Sequence, residues 1–501
     1  MNLFDIIVIT VYLLGMLAIG RYYAGRTKTA DEYLLGGRRM NPYMIGLSLF
    51  ATLTSTVSYL SFPGEMVKHG PMMFAQLAAF PVVMFIVGWW LIPAIMAQPN
   101  VTSGYELLES RLGLTGRLLG ASMFVLIRIV WMAAILYALS NKVLVPLFGL
   151  DFSWTPWLCV GIGVFTLIYT TEGGMRAVVM TDALQSIIMF VGAIVTVLVV
   201  THALGGFDAW WPTQWALHWQ EPVFWFRSDV RMTFMGAFLN MLVWMTCTAG
   251  SDQMAIQRYL SMRNPKVARR AFGFQMGIEV IMGVLLGLVG LAVLGYFVAH
   301  PAEFGAGASL ITSADELFPR FIIKALPVGL TGLVIAALLS AAMSSISSGM
   351  NSSSAVITSD FIGRFSQEKL SHARQVRLAR IVSVIVGVVA IVLSTVVGRM
   401  AENLFELSIK VVNLLTAPLF VLFFLALFVR RATPAAGVAA TIASVATAVG
   451  ISFFGIFGLE FLWMSPCSLL VGVFVGTVIA YMSPPRPPGP RRDEPPEPAT
   501  S

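Results

Sequence analysis

Apolar residues gather along this chain into thirteen stretches, each long enough as a helix to span roughly 30 Å of hydrocarbon. They run roughly 3–23, 43–66, 71–97, 117–147, 154–171, 180–203, 232–250, 270–298, 327–357, 377–398, 403–430, 434–457 and 461–482. A polytopic, all-α membrane protein is predicted. Three of the stretches are interrupted by polar residues in a way that a passive anchor does not need.

The ninth is one of them. It begins as Gly332-Leu-Val-Ile-Ala-Ala-Leu-Leu and continues as Ser340-Ala-Ala-Met-Ser-Ser-Ile-Ser-Ser-Gly-Met-Asn-Ser-Ser-Ser354. At about 100° per residue, Ser340, Ser344, Ser347, Ser348 and Asn351 fall within about a third of the helix circumference. Two readings stand side by side. Small residues let helices approach closely, with each hydroxyl bonded back to its own helix, or the stripe lines a site for something small and oxygen-seeking.

The second stretch carries seven hydroxyl-bearing residues between Thr52 and Ser61, followed by Pro63-Gly64. It is predicted to break, which would free carbonyls for a cation; irregular backbone at membrane depth is tolerated only inside protein or along a cavity. The seventh ends in Cys247-Thr-Ala-Gly-Ser-Asp-Gln253 and should break there too. Discontinuous helices five apart point to a transporter built from inverted repeats.

Isolated polar residues supply further candidates. Gln76 could bond a neighbouring helix or a solute. Arg128 lies deep in the fourth stretch, where an arginine costs at least about 2.5–3.5 kcal/mol on insertion scales. It must therefore meet an acid, carbonyls or an anionic substrate, which leaves a solute contact and an internal ion pair as the two readings. Asp182, after the turn at Gly173-Gly174, reads as an interfacial acid or as a carboxylate facing the bundle. Glu279 could pair with Arg128, relay a proton or reach the interface. Five tryptophans between 204 and 231 read as an interfacial belt.

Composition agrees with the pattern. The chain is 57% hydrophobic and only 11% charged, with mean hydropathy +0.82, against about 25% charge in soluble domains. The net charge of +7 does not mark a nucleic-acid surface, because 23 of the 32 basic residues, Arg21, Arg176, Arg258, Arg270 and Arg430 among them, fall in one alternate set of loops. That places the N-terminus outside and the C-terminus in the cytoplasm of a plasma (inner) membrane. Cys159, Cys247 and Cys467 fit no metal motif and no disulfide framework. Paired intramembrane aspartates, His-Glu-x-x-His and Gly-x-Ser-x-Gly are missing, so an enzyme is not expected, nor is an obligate protein partner. A sensor or channel on the same scaffold is the alternative class.

Gly36-Gly-Arg38, Gly46-Leu-Ser-Leu-Phe-Ala51, Tyr169 to Gln185, Asp252-Gln253 with Gln257-Arg258-Tyr259, and Ala341 to Ser348 with Asn351-Ser352 resemble the sodium/solute symporter family. That resemblance implies an amino-acid-transporter-like core of five plus five helices. One extra helix precedes the core (1–42, with its loop), repeats occupy 43–231 and 232–431, two helices follow (432–482), and a disordered Pro-rich tail ends the chain (483–501). It implies co-transported sodium at a first site of Ala51, Thr54, Ala341, Ser344 and Ser345. A second site would use Asp182, Ser347 and Ser348, sharing Ser344. Substrate contacts would be Ser55, Ser58, Gln76 and Arg128, with Thr248 and Glu279 in coupling or gating. Sugar-carrying members place lysine at Glu279 and tyrosine at Thr248. Their loss turns the expectation from a neutral sugar toward a carboxylate-bearing solute, closest to the sialic-acid branch. The arginine which that branch uses aligns near Trp131, about one turn from Arg128.

Overall fold

The computed structural model describes residues 2–483 except 25, 28, 99, 100, 220, 228, 229, 231, 305–309, 312, 367–370 and 398–401; of 397, 402–409, 411, 457 and 461 it describes the backbone alone. The Pro-rich tail lies outside the described residues. Every described element is helical, as a chain in lipid requires when each backbone group must find its partner within the segment.

Ten helices among the described residues are long and apolar enough to cross a membrane. The expected count of thirteen is not fixed by them. The fifth and sixth stretches form one continuous bent element, Thr155–Ala203, and half of the second runs on into the third. The bend falls at Gly174, whose φ of 61° belongs to the left-handed region. A Cβ there would come within 2.8 Å of the Tyr33 carbonyl. The double glycine therefore turns the chain where the sequence predicted.

The serine-rich helix, Leu330–Val356, is the axis of the molecule: every residue from Val334 to Val356 is buried. It packs mainly against the bent helix, and its small side chains permit the approach. The first helix, Leu3–Ala24, holds its N-terminal end. Asp5 Oδ1 accepts from Gly329 N at 2.7 Å and from Gly332 N at 3.0 Å, satisfying donors that a helix start leaves free.

Both predicted breaks are present. Pro42–Leu53 and Thr56–His69 are separated by Thr54 and Ser55, which are extended. Phe234–Ser251 and Gln253–Leu260 are separated by Asp252. Among the outer-loop tryptophans, Trp210 and Trp219 are buried rather than belted, and Trp219 Nε1 donates to Val67 O at 2.9 Å.

Candidate functional site

The first break leaves the last carbonyls of Pro42–Leu53 without helical donors. The serine helix meets them. Ser344 Oγ donates to Ala51 O at 2.8 Å and lies 3.4 Å from Ala341 O, while Ser345 Oγ donates to Thr52 O at 3.1 Å. Ala51, Ala341 and Ser344 are thus brought together as expected. Ser345 reaches one carbonyl further along, and Thr54 turns to a neighbouring cavity. Backbone carbonyls and hydroxyls gathered without a carboxylate make a hard-oxygen cluster of the kind that suits an alkali cation.

Asp182 faces the bundle and is fully buried. Its Oδ2 accepts from Ser48 Oγ at 2.5 Å and from Ser348 Oγ at 3.3 Å, while among the described residues its Oδ1 has no hydrogen-bond partner. Ser347 is not drawn in; its hydroxyl donates to Ser344 O at 3.1 Å. A residue that loop counting treated as a topology signal completes this cluster. Arg258 is 0% exposed. Its Nε donates to Ser48 Oγ at 2.8 Å, and its Nη2 to Asp182 Oδ2 at 2.9 Å and Ser348 Oγ at 2.6 Å. Counting Arg258 only as a loop charge missed this role, because the whole of Gln253–Leu260 is buried. The available signal was the polar run Gln253, Gln257 and Arg258 on an eight-residue helix just after a break. Gln253 Oε1 accepts from Gly104 N at 2.8 Å, and Gln257 Nε2 donates to Leu34 O at 2.6 Å.

A cavity of about 380 Å³ adjoins the first break. Leu53, Thr54 and Ser58 form one wall, and Gln76, Asn240 and Glu279 lie around it. Ser55 is fully buried behind Thr54, where its Oγ accepts from Ser58 N at 3.4 Å and starts the helix Thr56–His69. Arg128 does not line the cavity. It is buried in an ion pair with Asp252 at the second break, so of its two readings the structure shows the internal one; the sequence did not single out Asp252 as its partner. Glu279 does not meet Arg128; it lines the cavity, with Gln275 Nε2 at 3.4 Å. Thr248 sits in the last turn before the second break, buried, with Oγ1 lacking a partner. It stands outside the cavity wall.

Comparison with known proteins matches this arrangement. The pattern of the Sodium:solute symporter family covers residues 33–444. A sodium/sialic acid symporter of Aliivibrio fischeri is 29% identical over 493 residues, spanning 95% of this chain and 92% of that one. Among solved structures, a sodium-coupled sialic acid symporter in a substrate-bound outward-open state, with a novel sodium site, superposes with a TM-score of 0.84. It is 26% identical and covers 97% of this chain and 99% of that one. A nucleobase-cation-symport-1 transporter in a closed conformation shares the fold at a TM-score of 0.58 and 13% identity, over 90% of this chain and 95% of its own. With the two broken helices, the serine axis and four-fifths of its length accounted for, the chain belongs to the sodium:solute symporter family.

Proposed function

We propose that this multi-pass membrane protein carries a small carboxylate-bearing solute, a sugar acid of the sialic-acid kind, into the cell together with sodium. One observation carries the reading. The carbonyls that meet Ser344 and Ser345 and the wall of the solute cavity belong to the same helix break, residues 51–58. A cation settling there and a solute settling in the cavity organise the same few residues, so each favours the other.

The carboxylate would lie at the start of Thr56–His69, against the Thr54 and Ser58 hydroxyls. Free N–H groups and the helix dipole favour an anion there without a basic side chain. Arg128 is committed to Asp252 and contributes by holding the second break in place. In the orientation with the N-terminus outside, the buried Arg258 and Arg128 pairs would close the cytoplasmic side.

Energy is sufficient. A tenfold sodium gradient supplies about 1.4 kcal/mol per ion, and each charge crossing 100 mV about 2.3 kcal/mol more. A carboxylate returns one charge against the potential, so two ions leave about 5 kcal/mol and support a solute ratio of roughly a few thousandfold. Purified protein in liposomes, given labelled N-acetylneuraminate with and without an inward sodium gradient, tests this. Sodium-driven accumulation is expected; accumulation independent of sodium, or sodium-driven currents without saturable uptake, would overturn it.

A further inference from the structure

Beyond the residues of the first break, the cavity lining includes the acceptor-bearing side chains Gln76, Asn240 and Glu279, with Glu65 a second acid. Glu279 stands fourteen residues into Pro265–Ala299, about 21 Å along the helix at 1.5 Å per residue. It is half-buried, and among the described residues its hydrogen-bond partner is Gln275 Nε2, at a long 3.4 Å. A carboxylate at such depth is costly unless something donates to it. Two amides that line the same cavity do not. Gln76 Nε2 donates to Met73 O at 3.0 Å and Asn240 Nδ2 to Leu462 O at 2.7 Å. These contacts fix both amides, since turning either one over would set its oxygen against a carbonyl oxygen. Among the described residues the Gln76 and Asn240 oxygens accept no hydrogen bond, and both residues line the cavity with Glu279. No lysine, arginine or histidine is among the described lining residues.

We infer that Glu279 determines solute specificity by accepting hydrogen bonds from hydroxyl or amide N–H groups of the bound solute, with Gln76 and Asn240 as further acceptors. The inference rests on the symport reading above and narrows its solute class. The solute carries its acid at the Thr54–Ser58 end and a donor-rich face at the Glu279 end. A plain alkyl carboxylate fills the same space but leaves Glu279 desolvated and unmatched. Sites built to hydrogen-bond a solute discriminate strongly against analogues that lack the group.

The test is calorimetric binding to the purified full-length protein in sodium, with three probes: D-gluconate, hexanoate of equal carbon count, and D-galactose. Wild type is expected to bind gluconate at least about tenfold more tightly than hexanoate. Glu279→Leu should bring the two within about threefold, and Glu279→Gln, which keeps an acceptor oxygen, should fall between. Each variant is first shown to be folded by its sodium-dependent thermal shift. Equal binding of gluconate and hexanoate by wild type, or an equal loss of both in Glu279→Leu, overturns the inference. If galactose binds in a Glu279-dependent manner and gluconate does not bind, the carboxylate reading fails while the donor-facing role of Glu279 stands.

Discussion

Arg258 Nη2 bridges Asp182 Oδ2, at 2.9 Å, and Ser348 Oγ, at 2.6 Å, with all three side chains buried. The acid to which family resemblance assigns a second sodium ion is therefore already paired with a tethered cation, and among the described residues its other oxygen has no partner. Removing one member of a buried pair typically costs about 3–5 kcal/mol, because the other is left uncompensated. Arg258→Met should accordingly lower the midpoint of thermal unfolding sharply, and adding Asp182→Asn should restore part of the loss. Additive losses in this double-mutant cycle, read by thermal unfolding in detergent, would show that the two do not act as a pair.

Asp182→Asn by itself should reduce the Hill coefficient for sodium in uptake assays toward one while leaving uptake at saturating sodium. A wild-type coefficient already at one would remove the second sodium from the scheme.

Replacing Ser344 and Ser345 together with alanine withdraws the hydroxyls that reach Ala51 O and Thr52 O. The sodium concentration for half-maximal uptake should rise about tenfold or more, the scale of one lost charge-assisted contact. Unchanged uptake at low sodium would sink the first-site assignment.

Arg128→Ala and Asp252→Asn should each cut folded yield and the unfolding midpoint, for every solute alike, and the double variant should recover part of both. If Arg128→Ala were fully stable and raised KM for carboxylates alone, Arg128 would be a solute contact in another state of the cycle.

Asp5→Ala removes the acceptor for Gly329 N and Gly332 N. The loss of one such cap costs about 1 kcal/mol, so a modest fall in the unfolding midpoint with unaltered sodium affinity is expected.

The parts that the sequence disclosed are those whose chemistry is local. Hydroxyls crowded into an apolar helix, and β-branched or Gly-Ser-Asp runs at membrane depth, betray a lined axis and two breaks without any knowledge of neighbours. Charge pairs are different, since their meaning lies in a partner far away. Asp182 and Arg258 are 76 positions apart, and Arg128 and Asp252 are 124 apart. Counting charges per loop assumes that each is solvated, which held for most of the described basic residues but failed for Arg117 and Arg258, both buried in ion pairs. Gly174 was legible because glycine pairs announce turns, whereas the fusion of neighbouring segments into one element was not, since hydropathy does not report how a turn is closed.

The short helix Gln253–Leu260 is sewn to its surroundings by Gln253, Gln257 and Arg258 rather than by apolar contact alone. A greasy plug must pay the full hydration penalty whenever it is pulled open. A seam of hydrogen bonds exchanges each protein partner for water at a net difference of only about 0.5–1.5 kcal/mol apiece. The shut and parted forms of this end of the bundle can then lie close in free energy, so that the small difference made by a bound ion and solute is enough to decide which way the carrier faces.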